Sequence, residues 1–159
     1  MNALLPLWAV VNNFLVAIVI FAALFLFARS VGRGAFVALL LSFYAAYALY
    51  AVFPFASFLP TAPASTAFFA HAALYAVLVF LFFLILRRVI VSDFLFIGPF
   101  ALILLAFFGT GFLIALATHA FAITSFYQFT PAVSSLFAPA SLFFWWFIAP
   151  AVGLFFLAR

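Results

Sequence analysis

The 159-residue sequence contains no cysteine, no lysine and no glutamate, and its single carboxylate side chain is Asp93. Without cysteine there can be no disulfide, iron–sulfur cluster or thiolate metal site. With one aspartate and no glutamate or lysine, the carboxylate pairs of general acid–base chemistry cannot be assembled. HExxH, P-loop, GxGxxG and GxSxG motifs are missing too. Ser125 falls in the same loop region as His119, but nothing in their spacing is diagnostic of a serine nucleophile with its base. The residues therefore point away from an enzyme. Charged residues make up 4% of the chain, against about a quarter of an ordinary soluble domain.

What is abundant is apolar surface. The chain is 74% hydrophobic, with 29 phenylalanines. A water-soluble fold of this size could not bury so much, because a small domain leaves a large part of its surface in water. Lipid is the solvent this composition requires. The net charge of +4 comes from five arginines against Asp93. Scattered among apolar runs, these arginines read as topology determinants and headgroup contacts, and no nucleic-acid partner is expected.

The stretch Ala67–Arg88 organises the chain. Its uncharged part, Ala67–Leu86, would form a helix of about 30 Å, the thickness of a bilayer's hydrocarbon core. Arg87 and Arg88 mark its end. The same reasoning gives an all-α, polytopic transmembrane bundle in one domain, with five spans near residues 4–28, 35–54, 67–86, 94–118 and 137–158. Met1–Trp8 lacks the positive n-region of a cleavable signal peptide, so the first run is expected to be a true span. Pro99 would either kink a fourth span begun near Asp93 or open one, and the kink is the expected form. Pro139, Pro150 and Gly153 interrupt the fifth run. The alternative is therefore four spans plus a re-entrant or interfacial segment. The polar stretch Ala120–Ser135 is expected along the interface, and Trp145 and Trp146 in an aromatic belt.

Five spans put Arg29, Arg33, Arg87, Arg88 and Arg159 on one side. The positive-inside rule then places the N-terminus outside and the C-terminus in the cytoplasm, in a cytoplasmic membrane. Small residues recur at i, i+4 spacing in Ala38–Ser42–Ala46, in Ala72–Ala76 and in Gly111–Ala115–His119. Such stripes let another helix approach closely.

Two histidines are the candidates for chemistry. His71 lies a turn inside span three and His119 at the end of span four. Antiparallel neighbours would bring them to similar depth in the outer half, beside Asn12, Asn13, Tyr47, Tyr50, Tyr75 and Gln128. Ionisable residues inside a membrane are functional suspects. The candidate ligand-binding set is therefore His71, His119, Tyr75, Asn12 and Asn13. Both imidazoles are expected to face the bundle, since a ring in lipid leaves its N–H unsatisfied. His119 should be the shallower, about 39 Å from a helix start at Asp93, whereas His71 is about 24 Å from Arg87. Two nitrogens cannot complete a zinc site, so no metal or other cofactor is expected. A haem ligated by both rings, or a quinone between them, is the cofactor alternative.

The leading expectation is a non-enzymatic subunit or scaffold that packs against other membrane helices, in a hetero-complex or a homo-oligomer. The alternatives are a small transporter or channel with a polar outer-half path, and a haem- or quinone-binding respiratory subunit. Arg33-Gly34-Ala35-Phe36, after the first span, resembles the Arg-Gly-x-Phe of the colicin V production (CvpA-like) proteins. That resemblance implies a small polytopic membrane protein and no site residue. The Gly-rich charged segment between later spans in that family has no counterpart here.

Overall fold

The computed structural model describes residues 14–54, 56–90, 97–121, 123–125 and 127–157. They form a bundle of α1 (Leu15–Val31), α2 (Arg33–Ala51), α3 (Ala64–Val89), α4 (Pro99–His119), a short α5 (Pro131–Phe137) and α6 (Ala140–Leu157), with 3-10 turns at Ala56–Phe58 and Ile123–Ser125. No strand occurs among the described residues, so the all-α class holds. Four helices, α2, α3, α4 and α6, are long and apolar enough to cross a membrane. The shorter α1 has 17 residues. Residues 4–13 of the first expected span, Asn12 and Asn13 with them, lie outside the described residues, as do Asp93 and Arg159.

The helices run up and down. Gly32 alone separates α1 from α2, with φ at +109°, a backbone conformation that costs any side-chain-bearing residue dearly. It lets the chain restart a helix at once, so Arg29 and Arg33 stay at the same end. Tyr50 near the end of α2 meets His71 near the start of α3, which makes that pair antiparallel. Phe27 near the end of α1 meets Phe83, with ring centroids 5.8 Å apart. The end of α1 thus lies beside the end of α3, and all four described arginines share one end of the bundle.

The core forms around α4. It packs along α1 and α6, while α3 packs along α2. The Gly111–Ala115 stripe explains the α4–α6 approach: a Cβ at Gly111 would collide with the Trp146 ring. From the other side, a Cβ at Gly153 would come within 2.9 Å of Phe108. The predicted stripe of α2 is fully used, since Ala38, Ser42 and Ala46 are all completely buried. Large rings fill the space that these small residues leave. Phe112 is 1% exposed and sits between Phe43, Tyr44 and Phe147, at 5.9, 5.0 and 5.3 Å between centroids.

Four sequence-based expectations need correction. The fourth helix does not pass through Pro99 with a kink. It opens there, with Gly98 extended (φ −66°, ψ 162°) as its N-cap and Pro99 at the first helical position. Proline suits that position because it has no N–H to leave unpaired. The fifth run does not start at 137. Pro131–Phe137 makes its own short helix and α6 begins at Ala140, because Pro139 cannot donate to a continuing helix. Pro150, expected to interrupt α6, lies inside a helix that continues on both sides of it. The third span's neighbour along its length is α2, rather than α4.

Candidate functional site

The described residues bury no side-chain nitrogen or oxygen without a hydrogen-bond partner. Several polar groups are satisfied within their own helices. Ser42 donates to Leu39 C=O at 2.6 Å, Thr110 to Ala106 C=O at 2.8 Å and Thr118 to Ile114 C=O at 2.9 Å. Others tie helices together in three places, two of them toward the end opposite the arginines, and these ties are the candidate site.

The first tie joins α3 to α2. Tyr75 is buried and donates to Phe43 C=O at 2.9 Å. One turn nearer the helix start, His71 Nδ1 shares a 2.8 Å hydrogen bond with the Tyr50 hydroxyl. Phe121, just beyond α4, closes over this pair with its ring 5.3 Å from both Tyr50 and Tyr75. His71 faces protein, held by α2.

The second tie involves His119, which lies on another part of α4. Its Nε2 is 2.9 Å from Phe137 C=O. A carbonyl only accepts, so Nε2 carries the proton and donates. Its ring packs on Phe143 at 4.7 Å. Trp146 Nε1–H donates to the neighbouring carbonyl, Leu136, at 2.9 Å. These are the last two carbonyls of α5, groups that a helix cannot satisfy by itself. His119 and Trp146 therefore cap α5. His119 is largely exposed, whereas Trp146 turns inward against Gly111. Trp145 is 65% exposed and is the outward-facing member of the expected aromatic pair.

The third tie was not foreseen. The Tyr44 hydroxyl on α2 donates to Phe147 C=O at 2.6 Å and accepts from Ala151 N–H at 3.2 Å. That carbonyl and amide are the i and i+4 partners that a regular helix would pair with each other. Between them lies Pro150, which has no N–H and crowds the preceding turn. In lipid, such a disturbed helix needs a neighbouring helix to satisfy its backbone, and Tyr44 does so. Tyr44 at i, i+3 spacing from Tyr47 hinted at a polar face on α2, but nothing local connects it to a proline about a hundred residues later.

Of the candidate set, His71 and Tyr75 come together on α3, with Tyr50 and Phe121 added. His119 joins a separate tie and shares no hydrogen-bond partner with His71. Gln128 is exposed in the connection before α5. No group of three or more histidine, cysteine, aspartate or glutamate residues gathers among the described residues. The opposite end carries two basic surfaces, one at Arg29 and Arg33 and one at Arg87 and Arg88.

Comparison with protein-family models, with curated proteins and with solved structures finds no match to this chain. The likeness of Arg33–Phe36 to the colicin V production proteins therefore rests on those four residues.

Proposed function

We propose that this integral membrane protein is a non-enzymatic subunit that packs against another membrane helix through α3. The observation that carries the reading is the use made of the small-residue stripes. Those of α2 and α4 are consumed inside the bundle. That of α3 is only partly used, because Ala72 is half-buried and Ala76 is exposed. Beside Ala76 a groove of about 430 Å³ runs between α3 and the rest of the bundle, lined by Tyr75, Val79, Phe80, Phe83, Phe43 and Leu113 among others. Small residues bordering an apolar groove are how membrane helices approach one another. The bundle's own polar groups support the same reading, since hydrogen bonds between and within helices already engage them.

The chain has no cysteine, so Ala76→Cys places one thiol at this groove. Oxidative cross-linking in native membranes should give an adduct, either a homodimer or a complex with a second membrane protein. The introduced thiol is the chain's single one, so the site of any disulfide to a partner's thiol is readily assigned. A strictly monomeric product, together with a partner-free protein after mild detergent extraction, would sink the proposal. The arginine end is taken to face the cytoplasm, with the N-terminus outside and the C-terminus inside a cytoplasmic membrane. Topology reporters after Arg33 and Arg88 should then read cytoplasm, and those after Pro63 and Gln128 the outside. A cytoplasmic reading at Gln128 would refute that orientation.

A further inference from the structure

We infer that the groove between the end of α1 and the start of α4 binds an anionic phospholipid, its phosphate at Arg29 and Arg33 and an acyl chain along Phe25, Leu102 and Ile103. The groove has a volume of about 490 Å³, and those five residues line it together with Pro99. It has two helical walls, a basic rim and an apolar floor, which matches a lipid's charged head and hydrocarbon tail. Gly32 creates the rim. Its positive φ restarts the helix within one residue, so both guanidinium groups border the same opening.

Charge balance argues for an anionic occupant. Five arginines face a single aspartate in the whole chain, so Asp93 can neutralise at most one of them. Arg29 and Arg33 are both exposed. Arg33 also interacts within the chain, but a guanidinium carries five donors in a fork that suits phosphate. Basic pockets between membrane helices are a known form of headgroup recognition. The other arginine pair provides an internal contrast. Among the described residues, Arg87 and Arg88 border an opening lined otherwise by Leu81, Leu84 and Ile85 of the same helix, and Arg87 lies over the Phe83 ring at 6.0 Å. That surface has charge but, among the described residues, no second wall.

Native mass spectrometry of the full-length protein in mild detergent tests the inference, with phosphatidylglycerol and phosphatidylcholine of matched chain length. Phosphatidylglycerol should be retained on the order of tenfold more strongly. Arg29→Lys with Arg33→Lys keeps the charge, and hence the orientation, but removes the forked donors. It should cut that preference by about threefold or more. Ile103→Trp fills the groove at a residue 43% exposed and should lower retention with every arginine in place. Arg87→Lys with Arg88→Lys should change nothing. Equal retention of the two lipids would overturn the inference. So would an equal loss from the α3 pair, an unaffected Ile103→Trp protein, or displacement of the lipid by millimolar inorganic phosphate. None of these outcomes depends on whether α3 has a partner, and the cross-linking at Ala76 does not depend on lipid.

Discussion

α3 and α4 have the same mean hydropathy, 2.5, in their most apolar stretches, yet α4 buries 61% of that stretch inside the fold and α3 only 11%. Hydropathy measures the gain on leaving water, and lipid tails supply that gain as well as protein does. It therefore cannot distinguish a central helix from a peripheral one. The residues that make the distinction are small. Gly109, Gly111, Ala106 and Ala115 are buried on α4, where they admit Leu40, Leu24 and Trp146. The second half of α3 is Phe, Leu and Ile, and Phe80, Leu81, Leu84 and Ile85 are exposed by 47–62%. Bulk of that kind suits disordered acyl chains. Within this chain, α4 is surrounded by protein and α3 has protein on one side only.

That contrast can be broken most forcefully at Gly111. Gly111→Leu forces the Trp146 ring out, and its hydrogen bond to Leu136 with it. A loss of about 3 kcal/mol or more is expected, at the upper end for overpacking. The check is the thermal midpoint in detergent, followed by fluorescence-detected size exclusion, and an unchanged midpoint would show that α4 and α6 are not in close contact. Next in size is Tyr44→Phe, with about 1–2 kcal/mol expected from the loss of a doubly bonded hydroxyl. Hydrogen exchange of the Ala151 amide should rise with it, and unaltered protection would mean that α6 closes that step unaided. Tyr75→Phe removes one bond between α3 and α2 and should cost about 0.6–1 kcal/mol. The smallest effect belongs to Ile85→Leu on the outer face of α3, 50% exposed and outside the groove beside Ala76, expected within about 0.5 kcal/mol of wild type. A larger loss there would mean that α3 is buried in the purified protein.

That the chain forms a bundle of long apolar helices was legible because it depends on sums over about twenty residues, which single residues barely change. The close-packing stripe Ala38–Ser42–Ala46 was legible for a similar reason: its period alone defines a face. The placement of the histidines was harder to read. His71 at i, i−4 from Tyr75 correctly suggested a shared face, but its partner Tyr50 lies on another helix. His119 looked like a ligand because a membrane histidine needs an explanation. Its actual partner is the end of a seven-residue helix that hydropathy could not reveal within a polar stretch. Pro99 could equally kink a helix or open one, since both roles exploit the same missing N–H. The Tyr44 bridge was out of reach, because it belongs to a contact 107 residues apart along the chain.

The Tyr44 bridge also imposes an order of assembly. During synthesis α2 enters the bilayer long before α6. When α6 arrives, its proline-disturbed turn presents a carbonyl and an amide whose exposure to hydrocarbon is costly. A docked α2 already holds the one hydroxyl that can satisfy both. Insertion of α6 is therefore coupled to tertiary folding and is not settled by its own hydrophobicity. A reporter fused after Leu157 should reveal this: with Tyr44→Phe a larger fraction of chains should leave α6 uncrossed, while an unchanged fraction would show that α6 inserts alone. A substitution on the second helix would then act as a biogenesis defect of the last described one, visible in newly made protein before any loss of stability in the finished fold.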